Sequence, residues 1–334
     1  MRKAIAALGC FFGMLPLASG AALRMYFVDV EGGQATLIVS PSGQSMLVDA
    51  GWPGNNGRDA DRIAAAARLA GVKQIDYMVV THHHLDHVGG VPELAAKIPV
   101  VTFVDHGPNN ETGAAAQKLS AAYDQVAGKG KHLIVRPGDR IPLQGLDVEV
   151  IAANGNTITK PLHGAGRANA ACSDVKSQDA DPTENARSVG FILTYGKFRF
   201  ADLADLTWNK ELALTCPNDL IGTVDVYLVA HHSLAISSPS AFVHALHPKV
   251  AIMNNGARKG GEPMAWTVIR DSPGLKDIWQ LHYSVAGGKE HNSPDRFIAN
   301  PEDGSDQGHW LSLTATPDGS FTVLNSRNRL AVSY

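Results

Sequence analysis

From Thr81 to Gly90 the chain reads Thr-His-His-His-Leu-Asp-His-Val-Gly-Gly, with His82, His83, His84, Asp86 and His87 inside six residues. An apolar run, Tyr77-Met78-Val79-Val80, precedes the cluster and predicts a buried strand. The polar residues then stand where a strand leaves its sheet, the end at which open α/β layers bind ligands. In an extended exit His82 and His84 point the same way. Past the turn, Asp86 and His87 face a second point nearby. Neutral imidazoles with a carboxylate suit zinc and, less selectively, iron or manganese. The spacing thus offers two half-built cation sites, one from His82 and His84 and one from Asp86 and His87. His83 points the other way and reads as a packing or supporting residue.

His82-x-His84-x-Asp86-His87 resembles the signature of the metallo-β-lactamase superfamily. The resemblance extends along most of the chain after residue 21. It implies an α/β (α+β) fold, a four-layer αββα sandwich in a single domain, and hydrolysis by a cation-activated hydroxide. Two zinc ions are expected, with manganese or iron as alternatives. On the family's pattern Asp49 ends a strand and supports the metal loop from beneath. The family also places an aspartate that bridges both cations at a later strand end. Ala204-Asp205 is the better match, because Leu206-Thr207 then opens a helix; Asp202 is the competitor. A histidine after the strand 224–230 binds the second cation in the family, and His231 and His232 both stand there. Strand geometry favours His231 as the ligand, with His232 facing substrate or donating a proton; the reverse assignment stays open. The expected set is His82, His84 and Asp205 on one cation, and Asp86, His87, Asp205 and His231 on the other. Asp86 or His232 would shuttle the proton.

The chain departs from the pattern in two places. Where much of the superfamily has a third histidine for the first cation, this sequence has Glu184 and Asn185. His163, from a neighbouring insertion, or Asn185 would have to fill that place. The second departure lies in Asp29-Val30-Glu31-Gly32-Gly33-Gln34, which resembles a segment of the hydrolase domain of competence-type DNA-uptake channel proteins. That segment runs Asp-Val-Gly-Gln-Gly-Asp, so Gln34 replaces the second acid. The resemblance implies a phosphodiester or related ester substrate, and Gln34 argues against nucleic acid. A lactone or amide hydrolase of β-lactam type is an alternative, which the missing third histidine disfavours. A non-catalytic metal-binding module is a third reading, and it predicts broken ligands.

The elements that must position these residues follow from periodicity and turn chemistry. Strands are expected over 23–30, 34–40, 45–51, 74–81 and 100–105, with helices over 59–70 and 114–127. The stretch 154–182 is polar and without period, and reads as an irregular, site-covering insertion. The segment 184–197 enters a strand hairpin that continues from Phe198, and strands 224–230, 250–253 and 278–283 then alternate with short helices. The chain closes in a β-hairpin over 310–316 and 321–325. His106, His282 and His291 lie at expected strand ends or loops and are possible substrate or rim residues. The loop Asn254-Asn255-Gly256-Ala257-Arg258-Lys259-Gly260-Gly261 could hold an anionic group.

The first 21 residues read as a signal peptide. Arg2 and Lys3 precede a short apolar run, and Ala18-Ser19-Gly20-Ala21-Ala22 supplies small residues for cleavage. The expected address is therefore exported, periplasmic or secreted, with no membrane span after cleavage. Removing this leader leaves 27 basic against 32 acidic residues, a net charge of −5. With no long basic run, strong nucleic-acid binding is not expected. Two cysteines remain, Cys172 and Cys216, a plausible disulfide in an exported chain. Small-molecule or phosphodiester substrates are the expected partners, and nothing in the sequence fixes an oligomeric state.

Overall fold

A computed structural model describes residues 22–302, 304 and 307–334. The leader 1–21 lies outside the described residues. The chain builds two mixed sheets, and their strand order explains how the metal loop is placed. The first runs Ala331–Ser333, Phe321–Asn325, Leu311–Ala315, Leu23–Phe27, Thr36–Val39, Ser45–Val48, Ile75–Val79, Val100–Asp105 and Lys131–Ile134. The second runs Ile298–Asn300, Asp277–His282, Val250–Met253, Val226–Leu228, Phe198–Asp202, Gly190–Tyr195, Asp147–Ala153 and Asn156–Thr157.

Both sheets turn an apolar face inward. Met25, Phe27, Val79 and Val104 of the first meet Val150, Phe191, Phe200, Val226 and Trp279 of the second in one buried layer. Strand residues alternate faces, so the same strands also present a second apolar set outward. On the first sheet that outer set, including Leu47, Met78 and Phe103, is covered by the helices Arg58–Ala70 and Ala114–Ala127 through Ile63, Ala67 and Tyr123. On the second sheet Ile192, Tyr227 and Ala251 are covered by Trp208–Thr215, Ser240–Leu246 and Pro263–Arg270 through Leu214, Phe242 and Ile269. The result is the expected helix–sheet–sheet–helix sandwich with three apolar layers.

The strands nearest the metal loop run parallel. Ser45–Val48, Ile75–Val79 and Val100–Asp105 are parallel neighbours, as are Phe198–Asp202, Val226–Leu228 and Val250–Met253. Parallel pairing puts their C-terminal ends on one edge, so six loops gather there. The terminal hairpin forms as expected, with Leu311–Ala315 pairing antiparallel to Leu23–Phe27. Two short edge strands, Ile298–Asn300 and Ala331–Ser333, had no alternating pattern to announce them.

The insertion 154–182 is irregular, holding the short strand Asn156–Thr157 and the 3₁₀ turn Ala170–Asp174. A Cys172–Cys216 disulfide, with Cα atoms 5.7 Å apart, ties it to the end of the helix Trp208–Thr215. Among the described residues no helix is long and apolar enough to cross a membrane.

Candidate metal centre

The metal loop is held from below by Asp49. This residue follows the strand Ser45–Val48 in a left-handed conformation, φ 59°. Its carboxylate accepts from the Thr81 amide at 2.8 Å, the Thr81 hydroxyl at 2.7 Å and His87 Nδ1 at 2.7 Å. The turn that follows brings His84 to the start of the short helix Leu85–Val88, which carries Asp86 and His87 inward. Two glycines let the neighbouring backbone approach. A Cβ on Gly33 would lie 2.4 Å from the Asp86 carbonyl, and one on Gly260 would lie 2.0 Å from the His232 carbonyl.

Five histidines each have one ring nitrogen tied to an acceptor. The Thr81 hydroxyl already donates to Asp49, so it accepts from His82 Nδ1 at 3.1 Å. His84 Nε2 meets Glu111 Oε1 at 3.0 Å, and His87 Nδ1 meets Asp49. His231 Nδ1 lies 3.2 Å from Ser237 Oγ, whose proton goes to the Leu206 carbonyl. His232 Nδ1 lies 3.3 Å from the Asn254 carbonyl. The anchored nitrogen carries the proton in each neutral ring, so the opposite nitrogen presents a lone pair.

Those lone pairs converge on two carboxylates. His87 Nε2 lies 3.3 Å from Asp86 Oδ2, from Asp205 Oδ2 and from His232 Nε2. His232 Nε2 is 3.4 Å from Asp86 Oδ2 and 3.3 Å from Asp205 Oδ1. The ligand atoms of Asp86, His87, Asp205 and His232 all lie within 4.8 Å of one another, and all four residues are buried. Beside them His82 Nε2 and His84 Nδ1 are 3.1 Å apart, with His82 Nε2 at 3.9 Å from Asp205 Oδ2. His231 Nε2 approaches the same oxygen at 3.4 Å.

The charges fit a cation. Asp205 Oδ1 is buried without a hydrogen-bond partner. Burial opposes ionisation of Asp205, yet the facing imidazoles of His232, His87 and His231 hold its carboxyl well below the usual range. Asp86 behaves likewise, through burial opposed by His87, His232 and Lys259. Burial pushes the His82 and His231 imidazoles down, so both stay neutral as ligands must. His87 is the exception: burial disfavours its charge, but Asp205, Asp86 and Asp49 lift it well above the usual histidine value. A proton there stands in for a cation. Two ionised carboxylates and five inward imidazole nitrogens form the oxygen and nitrogen donor set that zinc takes.

Residues 28–172 match the family described as the metallo-beta-lactamase superfamily. The fold is that of the metallo-β-lactamase superfamily. Among curated proteins, a hydroxyacylglutathione hydrolase of Erwinia tasmaniensis is 37% identical over 81 residues, 24% of this chain and 26% of its own. A hydroxyacylglutathione hydrolase of Acidiphilium cryptum is 31% identical over 137 residues, 41% of this chain and 46% of its own. The matched segments span between 14% and 46% of the length of these curated relatives. These relatives carry that name, not the name of a DNA-uptake channel. A solved metallo-β-lactamase fold protein, YhfI of Bacillus subtilis, aligns over 77% of this chain and 95% of its own at 9% identity and a TM-score of 0.47.

Within the metallo-β-lactamase fold the structure places the remaining residues as follows. His232, not His231, stands with Asp86 and His87. Strand parity fails here because His231, His232 and Ser233 are consecutively left-handed, with φ of 53°, 54° and 68°. Such a conformation costs about 1–2 kcal/mol per residue outside glycine, so the surrounding packing has to impose it. Asp205, not Asp202, reaches the centre. Asp202 instead accepts from the Gln34 amide and the Ala204 amide, and burial raises its carboxyl to about 7.

His163 does not complete the first cation site. It lines a surface hollow with Arg140, Asp147 and Lys197, at the far end of the strand Gly190–Tyr195. His106 is buried and bonded to Glu184, and His282 is buried and bonded to Asp29 at 2.7 Å. Neither is a rim residue. His291 packs edge-on against Trp266. Of the loop 254–261, Lys259 reaches the centre: its ammonium contacts Asp86 Oδ2 and lies 5.2 Å above the Trp52 ring.

Sequence reasoning missed Glu184 as a support. This carboxylate is fully buried and accepts from the His83 amide, His106 Nε2 and the Asn110 amide. His83 lies between two metal-loop ligands, so Glu184 fixes that loop from the side. The signal available was an acid beside Asn185 at the place where the family has a ligand.

Proposed function

We propose that this protein is a metal-dependent hydrolase of ester-type bonds, with His82, His84, Asp86, His87, Asp205, His231 and His232 holding two cations, most simply zinc. The observation that carries the reading is the single buried carboxylate of Asp205, approached by His82, His87, His231 and His232 at 3.3–3.9 Å. When bound, a cation pair lowers the pKa of water to about 7 and stabilises charge on the oxygen of an attacked centre. The chain's own residues do the rest. Asp49, Glu111, Ser237 and the Asn254 carbonyl orient the imidazoles. Asp86, the most solvent-facing of the buried acids at the centre, is placed to pass a proton to the leaving group. His232, given that role as an alternative from sequence, serves as a ligand in this reading.

The substrate class we favour is a phosphodiester or related ester carrying negative charge, because Lys259 supplies a cation at the centre that the Asp86 carboxylate otherwise occupies. A second reading, hydrolysis of a thioester or ester carbonyl, is supported by the names of the curated relatives. A panel of bis-nitrophenyl phosphate, a hydroxyacyl thioester of glutathione, a lactone and a chromogenic β-lactam, each with metal-stripped and zinc-reconstituted protein, tests both. Turnover of none of them by the reconstituted protein would overturn the ester reading. We further propose export to an oxidising compartment. The apolar leader and the Cys172–Cys216 disulfide support it.

A further inference from the structure

The first cation site is short of a ligand on the family's pattern, because Asn185 stands where a histidine is expected. Asn185 is not idle there: its side-chain amide lies 3.4 Å from His231 Nε2. His231 therefore projects toward the gap from the second sheet. Its Nδ1 proton is committed to Ser237 Oγ, whose own proton is committed to the Leu206 carbonyl. That chain of bonds leaves His231 Nε2 only a lone pair, and the lone pair faces Asp205 Oδ2 at 3.4 Å. A lone pair aimed at a carboxylate oxygen in a buried site is repulsive unless a cation lies between them.

The turn that builds this arrangement is specific. Adjacent residues on an extended strand point to opposite faces, so two neighbouring histidines could not both reach one carboxylate. Here the left-handed run from His231 to Ser233 sends His231 to Asp205 Oδ2 and His232 to Asp205 Oδ1. His232 then joins Asp86 and His87. His231 is left on the side of Asn185 and of Asp205 Oδ2, the oxygen that His82 approaches at 3.9 Å and His87 shares at 3.3 Å.

Building on the hydrolase reading above, we infer that His231 is the third imidazole of the first cation site, replacing from the other sheet the histidine that Asn185 displaces. The ligands of that site are His82 Nε2, His84 Nδ1, His231 Nε2 and the shared Asp205 carboxylate. Asp86, His87, His232 and Asp205 hold the second.

The test is metal stoichiometry by elemental analysis, with zinc affinity by chelator competition, on wild type, His231→Ala, Ser237→Ala, and the double variant His231→Ala with Asn185→His. Wild type should bind two zinc ions per chain. H231A should retain one at unchanged affinity and bind the other more than about 100-fold more weakly, beyond the 10–100-fold that loss of an outer support costs. S237A should fall within that smaller range. The double variant should recover the second equivalent, which a purely structural role for His231 would not allow. Cobalt substitution adds a spectroscopic readout: H231A should lose the absorption of one of two cobalt ions. Two ions at wild-type affinity in H231A would overturn the inference, and so would failure of the double variant to regain the second. Wild type binding no zinc at all would instead overturn the hydrolase reading on which the inference rests.

Discussion

Replacing Glu184 should loosen the protein and its metal loop together. The carboxylate is fully buried and accepts three hydrogen bonds, from the His83 amide at 3.1 Å, His106 Nε2 at 2.9 Å and the Asn110 amide at 2.9 Å. Glu184→Ala leaves two backbone amides and an imidazole without their acceptor. Each buried orphan costs about 1–3 kcal/mol, and water entering the vacated space recovers part of it, so the expected loss is about 3–5 kcal/mol. Titration gives an independent figure. Burial raises the Glu184 carboxyl, but His106 and the two amides outweigh it and bring the group from 4.5 down to about 2. A depression of that size corresponds to about 3 kcal/mol of stability at neutral pH. Because the folded value is the lower one, this stability is complete above about pH 4.5 and fades as pH falls toward 2. The assay is urea unfolding of metal-free protein from pH 7 to pH 2.5, followed by circular dichroism. Glu184→Gln should lie between wild type and alanine at pH 7, and its midpoint should fall less steeply on acidification. Zinc affinity of the same variants should drop about 10–100-fold, as for other supports of metal ligands. An alanine variant within 1 kcal/mol of wild type at pH 7 would refute the reasoning.

Three further outcomes rest on other contacts. Asp49→Asn keeps an acceptor for Thr81 but removes the charge facing His87, so zinc affinity should weaken about 10–100-fold in a competition assay, with little change in secondary structure. Zinc binding should weaken with acid, because the His87 value lies well above 6.5 in the metal-free protein and a proton must leave before the cation enters; a pH series of zinc titrations should show net proton release. Reducing Cys172–Cys216 opens a loop with a sequence separation of 44, which the chain-entropy relation values at about 4 kcal/mol. Thermal unfolding with and without reductant should show the lower midpoint in the reduced protein.

Much of the candidate centre was legible because four of its residues are local. His82, His84, Asp86 and His87 lie within one turn, after a strand whose apolar character is plain from Tyr77 to Val80. Asp205 was legible by its place, at a strand end just before a helix. The order of the layers came from the resemblance that the His82–His87 motif carries. What the sequence concealed depends on pairings between distant residues. His106 and Glu184 are 78 positions apart, and His282 and Asp29 are 253 apart. In each pair an acid buries a histidine that sequence alone leaves on the rim. The roles of His231 and His232 were concealed for another reason. Period-two alternation presumes an extended backbone, and both residues are left-handed. Glu184 looked like a broken ligand because the resemblance marks a position, while the structure shows a buried charge that binds two other loops.

The most direct test is a zinc titration of chelator-stripped protein with ester hydrolysis read at each step. Activity should be absent at zero zinc, rise with added metal and level off at two equivalents per chain, and Asp205→Asn should abolish both the binding and the turnover. Hydrolysis by the stripped protein at the full rate, or a D205N variant that still binds two zinc ions tightly, would contradict the account.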